Sequence, residues 1–237
     1  MVTLPDFVRS PNQADDPELY DVENRAMDRD GVVLAAMREL APWADRSLVD
    51  LGCGSGYWLA GYADEAGAVV GVEPDPTLLP LAQARDGRAR VVHGSAEHVP
   101  LPDHSVDVVH ARFAYFFPPG CDAGLAEVMR VLRPGGTLVV VDNDHRHGEF
   151  AGLLAASPWA AYQGNADSTD AWWRERGARR VEVMSDWRFG SRNDLEAVLR
   201  LEFPPDVADG WLTAHPQALG LSYGYVLFAV TAPATAA

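Results

Sequence analysis

Apolar residues fall in short runs separated by amphipathic stretches. Residues 48–51 form a run too short for a helix and read as a buried strand. Comparable runs lie at 68–72, at 89–93, up to about Ala111, and at 138–141. Between them, 76–85 turns Leu78, Leu79, Leu81 and Ala82 inward at helical spacing. A second helix, 122–131, buries Leu125, Val128 and Met129, with Leu132 following. Strands and helices in this alternation predict a parallel sheet covered on both faces.

The flanks are less regular. Residues 1–16 are rich in Pro, Asp and Asn and read as irregular. Residues 17–40 are helical, with Val32, Val33, Ala36, Met37 and Leu40 on one face and Asp30 as a candidate cap. After the 138–141 strand, 150–161 and 168–176 read as helices. The segment 179–188 alternates: Val181, Val183 and Ser185 face one way, Glu182, Met184 and Asp186 the other. Ser191 begins a helix that runs to Phe203, a short helix spans 207–214, and a last strand spans 221–231.

A chain of 237 residues with 48% hydrophobic content can fill one α/β core. Its net charge of −15 argues against nucleic acid as a partner, because phosphate needs a basic face. All 19 basic residues are arginine and isoleucine is absent, which fits a nucleotide bias of the genome. Six arginines between Arg174 and Arg192 read as a solvated face balancing the acidic charge, with an acidic acceptor as the alternative. Two cysteines, Cys53 and Cys121, make no disulfide framework. No basic-then-apolar leader opens the sequence, so a cytoplasmic protein is expected. The uncharged stretch 217–237 contains Gly220, Gly224 and Pro233; it reads as a strand and tail, not a membrane anchor.

The first strand runs directly into Gly52-Cys53-Gly54-Ser55-Gly56, and Tyr57 then begins a helical pattern. Strand, glycine turn and helix together let a nucleotide lie against bare backbone. A dinucleotide fingerprint would place its third small residue at position 57, where Tyr57 stands, so a nicotinamide oxidoreductase is the weaker alternative. A phosphate loop needs a lysine, and the chain has none. Glu73 follows Gly52 by 21 residues at the end of the second strand, where a carboxylate can accept both ribose hydroxyls.

Asp50-x-Gly52-x-Gly54-x-Gly56 resembles the S-adenosylmethionine-binding turn of class I methyltransferases, whose pattern is acidic-x-G-x-G-x-G. The resemblance extends through Glu73-Pro74, Ala96-Glu97 after the third strand, and Leu132-Arg133-Pro134-Gly135-Gly136-Thr137 before the fifth. Ser95 departs from it, standing where an acid is usual beside adenine.

The resemblance implies a three-layer α/β/α sandwich with a mostly parallel seven-stranded sheet. Strand seven would run antiparallel between five and six. It further implies one domain over 1–237: a helical lid region at 1–46, a cofactor core at 47–142, a helical cap at 143–178, and strands six and seven within 179–237. The cofactor would be S-adenosyl-L-methionine, leaving as S-adenosyl-L-homocysteine, with the methyl passing by in-line displacement to a small-molecule acceptor. A non-catalytic or regulatory module of the same fold is the alternative.

Candidate cofactor contacts are Tyr20, Asp50, Gly52, Cys53, Gly54, Gly56, Glu73, Pro74, Ala96, Glu97, Arg112 and Phe113. Aromatic faces after strand four suit a methyl on a sulfonium, so Phe113 and Tyr115 are candidates there, whereas Phe116 and Phe117 read as core. Asp142-Asn143-Asp144-His145-Arg146-His147 is the other chemically suggestive stretch. His145 and His110 are candidate bases, and a polar loop in which Asp142 orients the turn is the equal alternative for the stretch. Asp142-Asn143 also resembles the ligand pair of metal-dependent catechol-type methyltransferases. Those need an acid after strand four, where His110 and Arg112 stand, so no metal is expected. Acceptor-pocket candidates are Tyr115, Asp142, Asn143, Trp159, Tyr162 and Trp172, with Trp173 beside them; pinning a helical cap is the alternative for the large side chains.

Overall fold

The computed structural model describes residues 4–158 and 166–234. Seven strands form one sheet in the order β3-β2-β1-β4-β5-β7-β6. They are β1 (Ser47–Leu51), β2 (Ala68–Glu73), β3 (Ala89–His93), β4 (Val106–Arg112), β5 (Leu132–Asn143), β6 (Arg179–Arg188) and β7 (Gly220–Thr231). Strands β1 to β5 pair in parallel, and β7 runs antiparallel to both β5 and β6. This is the expected topology, a three-layer sandwich with one reversed strand.

Each face of the sheet builds its own core. One centres on Leu48, Val108, Val139 and Leu227 and is covered by α2 (Pro17–Ala26), α3 (Val32–Leu40), α4 (Leu59–Ala63), α7 (Glu149–Ala156), α9 (Arg192–Glu202) and α10 (Pro205–Ala214). The other centres on Val49, Val109, Leu138 and Val140 and is covered by α6 (Asp122–Val131) and α8 (Ala166–Glu175). Covering both faces is why the central strands read as continuous apolar runs.

Several boundaries differ from the sequence reading. The segment read as irregular contains α1 (Pro11–Asp15). Helix α3 is capped by Asp28, whose carboxylate accepts the N–H groups of Val33 and Leu34 at 3.0 and 3.1 Å; Asp30 pairs with Arg188 instead. The helix α5 spans Leu79–Arg85, and Leu81 points outward, 44% exposed. Phe116 is core, but Phe117 is 41% exposed, because the loop after β4 turns it away. Strand β5 is much longer than 138–141. Its antiparallel pairing with β7 continues through Asp142↔Val226 and Asn143↔Tyr225, so these two residues lie on a strand and not in a loop.

Candidate functional site

Five residues turn the chain from β1 towards α4. Gly52, Gly54 and Gly56 all have positive φ, +73°, +58° and +80°. A Cβ on Gly52 would stand 2.6 Å from the Ala114 Cβ in the loop after β4, so bare backbone is required for that loop to close against the turn. The N–H groups of Gly52 and Cys53 both donate to the Val72 carbonyl, at 2.8 and 3.2 Å, which fastens the turn to the end of β2.

Glu73 completes this junction. Its carboxylate is 4% exposed, and it accepts the Gly54 N–H at 2.7 Å and the Asp75 N–H at 2.8 Å. Burial pushes its pKa up to about 7 against the pull of those two donors. Asp50, on β1, is also buried, and burial raises its pKa to about 7 while the Arg112 charge opposes the rise. Arg112 leaves the tip of β4 with its guanidinium 4.0 Å over the Trp58 ring. Its two terminal nitrogens lie against the sulfurs of Met37 and Met27, at 3.4 and 3.6 Å, and its Nε is buried without a partner.

Beyond β3, Ser95 and His98 exchange backbone hydrogen bonds and present Ala96 and Glu97 between them. The Ser95 hydroxyl is buried and unpartnered. Glu97 accepts the Tyr115 hydroxyl at 2.8 Å, and Tyr115 in turn accepts the Gly124 N–H at 3.1 Å. Phe113 and Tyr115 hold φ of +50° and +59°, left-handed positions that bulky side chains rarely take. The loop after β4 is therefore strained where it meets the glycine turn.

Helix α2 lies over this edge. Asp21 accepts the Ser55 hydroxyl at 3.2 Å and an Arg85 nitrogen at 2.6 Å. Trp58 donates to Asn24 at 3.0 Å, and Asn24 donates to the Tyr20 carbonyl at 3.1 Å. Ahead of α2, the Gln13 side chain of α1 packs directly over Gly54, its Nε2 2.1 Å from where a Cβ would stand. Asp6 accepts the Glu97 N–H at 3.3 Å. The N-terminal segment thus touches the turn at Gly54 and Ser55 and the β3 end at Glu97.

The candidate cofactor residues on and just after β1 to β4 therefore lie together along the carboxyl ends of those strands, whereas Tyr20 lies apart from them on α2. The two candidate bases separate. His110 is fully buried between Trp43 and Tyr62, with ring centroids at 5.0 and 5.1 Å, and both of its nitrogens lack a partner. Burial, with the Arg112 charge, drives its pKa down to about 3. It is a core residue, and the structure does not bring it to the edge. His145 lines a small cavity with Asp142, Asn143, Thr169 and Asp170, and its pKa is lowered by burial.

The acceptor candidates also divide. Asp142 is buried, with a pKa pushed up to about 7, and accepts the Asn143 N–H at 2.7 Å. Asn143 accepts the Tyr223 hydroxyl. Trp172 sits on α8 with the Arg176 guanidinium 3.7 Å above it, and it packs against the α6–α8 core with Tyr115. Trp173 is core, stacked on Phe228 at 5.2 Å. Trp159 and Tyr162 lie outside the described residues. Asp144, His147 and Glu182 bring one ligand atom each within 4.8 Å of one another, but His147 already binds Asp144 at 2.6 Å and Glu182 binds Arg180 at 2.8 Å. A groove of about 610 Å³ between α7 and α10 includes none of these candidates.

Sequence reasoning missed Gln13, Glu23, Glu202, Tyr223 and Tyr225 as polar or aromatic groups gathered near this edge. Tyr20 and Glu23 stand one helical turn apart, a spacing that signals a shared face. Nothing local marks Glu202.

A turn of left-handed glycines with a buried acid at the next strand's tip, on this strand order, defines a class I, Rossmann-like methyltransferase fold. Residues 49–140 match the methyltransferase domain family, and the chain resembles the class I methyltransferases in fold and in that stretch of sequence. An uncharacterised methyltransferase of Mycobacterium tuberculosis is 39% identical over 104 residues, 44% of this chain and 42% of that protein. One of Mycobacterium leprae is 32% identical over 179 residues, 72% of this chain and 58% of that protein. The chain thus spans about half the length of the curated relatives it matches. Among solved structures, phosphoethanolamine N-methyltransferase 2 of Haemonchus contortus, in complex with S-adenosyl-L-methionine, superposes with a TM-score of 0.57. That match has 19% identity and covers 97% of this chain and 61% of the other. No helix among the described residues is long and apolar enough to cross a membrane.

Proposed function

We propose that this chain is an S-adenosylmethionine-dependent methyltransferase acting on a small-molecule acceptor. One observation carries the reading: the buried Glu73 carboxylate at the tip of β2 receives the Gly54 N–H at 2.7 Å inside a turn of left-handed glycines. Each carboxylate oxygen there already accepts one backbone donor and has a lone pair left for a ribose hydroxyl. The orphaned Ser95 hydroxyl offers a partner to an adenine nitrogen, with Ala96 and Glu97 beside it. Residues present therefore fit an adenosyl group.

When bound, S-adenosylmethionine supplies a methyl group on a sulfonium, a good leaving group. The work left to this chain is positioning and exclusion of water. Gly52 to Gly56 offer bare backbone to the methionine portion. Asp50 and Glu73 supply negative charge near a cationic sulfur. Phe113, held left-handed after β4, presents its ring at the same edge. Helix α2 closes the edge through Asp21 and Asn24. His145 stays the candidate base, since burial keeps it neutral and able to take a proton.

Calorimetric titration with S-adenosylhomocysteine tests this reading. Glu73→Ala should weaken binding strongly, and unchanged affinity removes the proposed site. Gln13 favours a second reading, in which the fold serves as a regulatory module: its side chain fills the space over Gly54 that a cofactor would need. Incubation with methyl-labelled cofactor and a metabolite extract separates the two, because only the enzyme transfers label to a small molecule.

A further inference from the structure

A polar cluster beneath α2 is used by nothing described so far. Glu23, on α2, is 4% exposed, and one of its oxygens is enclosed with no partner. Its carboxyl is hydrogen-bonded to that of Glu202, at the end of α9. Asn12 donates to the Glu202 Oε1 at 2.6 Å. Burial raises the pKa of both carboxyls, and Glu202 raises that of Glu23 further, so the two share a proton.

Three tyrosines are electrostatically coupled to the pair. Tyr20 stands one turn before Glu23 on α2, and burial first, then the charges of Glu23 and Glu202, raise its pKa. Tyr223 and Tyr225, on β7, stack on each other at 4.2 Å. Burial raises both phenols, and the charge of Glu23 raises them further, so both rings lie within electrostatic reach of that carboxyl. The Tyr225 hydroxyl is an independent sign of an unmet partner: the residue is 0% exposed and that oxygen has no hydrogen bond. Arg112 faces Tyr20 and Tyr225 from the β4 tip, and Asp28 and Asp186 face Tyr225 from the α3 side and from β6.

The cluster also lies in the right place. The Tyr225 ring is 6.1 Å from that of Phe113, the residue that follows β4 at the ligand edge of the sheet. Asn143, at the carboxyl end of β5, binds Tyr223.

Two converging carboxyls in a low-dielectric site are costly to ionise without a cation. A protonated amine relieves that cost, since its N–H groups donate to both acids and its charge lies against tyrosine faces. A neutral hydroxyl donates to only one oxygen and brings no charge, and an anion is repelled. We propose that Glu23, Glu202, Tyr20, Tyr223 and Tyr225 form the acceptor subsite, and that the acceptor is a small molecule carrying a protonated amine. This rests on the methyltransferase reading. Entry of the amine displaces the proton shared by the pair.

The test uses the full chain saturated with S-adenosylhomocysteine, titrated calorimetrically with benzylamine and with benzyl alcohol in two buffers of different ionisation enthalpy. The amine should bind at least about tenfold more tightly than the alcohol, as hydrogen bonds to charged groups require. It should also release on the order of one proton. Glu23→Gln and Glu202→Gln should each abolish both the preference and the proton release, while S-adenosylhomocysteine still binds. Equal affinity of the wild type for the two probes, absence of binding by both included, overturns the proposal. Failure of S-adenosylhomocysteine to bind overturns the methyltransferase reading instead.

Discussion

Glu73→Gln preserves the shape of the β2 tip and changes two things, the number of acceptors and the ability to ionise. Gly54 donates to Oε2 and Asp75 to Oε1, at 2.7 and 2.8 Å. A glutamine keeps one carbonyl oxygen, so one of these N–H groups meets an amide nitrogen and stays unpaired. That costs about 1–3 kcal/mol of stability.

Ionisation works in the opposite sense. The folded pKa of Glu73 is raised from 4.5 to about 7, mainly by burial. Between those values the folded chain holds a proton that the unfolded chain has lost. The stability from this group is therefore complete below pH 4.5 and is lost as pH rises to about 7. The loss is about 3 kcal/mol at most, and glutamine is free of it. Denaturation in urea should show wild type losing stability relative to the variant as pH rises from 4.5 to 7.5.

Cofactor affinity should follow the ionised form, which alone offers both oxygens to ribose hydroxyls. The dissociation constant of wild type for S-adenosylhomocysteine should then rise about tenfold per pH unit below pH 7 and stay flat above it. The variant should be flat throughout and about 10- to 100-fold weaker at pH 8, the worth of a hydrogen bond to a charged group. Calorimetry from pH 5.5 to 8.5 reads both. A wild-type affinity independent of pH, or a variant that binds as well as wild type, would refute the ribose role.

Gly54→Ala places a methyl group at φ +58° and 2.1 Å from the Gln13 Nε2. The end of Gln13 can swing away, so the stability loss should stay near the backbone strain of about 1–2 kcal/mol, while S-adenosylhomocysteine binding in calorimetry falls well over about tenfold. His110→Phe should leave that binding intact and raise acid tolerance. The His110 pKa is lowered from 6.5 to about 3 by burial, so its contribution is present above pH 6.5 and lost as pH falls through 3, a penalty of about 5 kcal/mol at most. Urea midpoints at pH 4 and pH 7 should differ less in the variant, and an unchanged difference would argue against burial of an uncharged ring. Asp21→Ala removes the contacts to Ser55 and Arg85. Global stability should change by less than about 1 kcal/mol, but amide exchange in α2 should accelerate.

How much of this was legible depended on how far apart the cooperating residues lie. The Gly52–Gly56 turn, Glu73 and the strand-and-helix alternation are local, and the sequence carries them in short windows. Asp142 and Asn143 were misplaced because polar residues end an apolar run at Val141, yet pairing with β7 carries the strand two residues further. His110 misled for a related reason. It alternates with Val109 and Ala111, and in a sheet covered on both faces every position is interior, so a polar residue on such a strand does not imply an exposed edge. Asn12 and Glu202 meet across 190 positions, and nothing near either residue announces the other. The N-terminal segment escaped for the same cause: Gln13 and Asp6 gain their partners only through the fold.

Those distant contacts share one element. Helix α2 reaches the glycine turn through Asp21, the Trp58 ring beneath Arg112 through Asn24, and α9 through Glu23. It buries Glu23, Asn24 and Ala26 and rests Leu19 and Val22 against the core, while its N-cap Asp16 is exposed. Its position is therefore set by polar partners on both sides together with the apolar contacts of Leu19, Val22 and Ala26. A ligand that displaces Gln13 from Gly54 acts at the entrance of this helix, and one that parts Glu23 from Glu202 acts on its inner face. If both ligands shift this helix, their affinities are linked, and by the same factor in each direction. The proposed cofactor and acceptor sites are in this sense joined by one helix, which makes polar contacts to both.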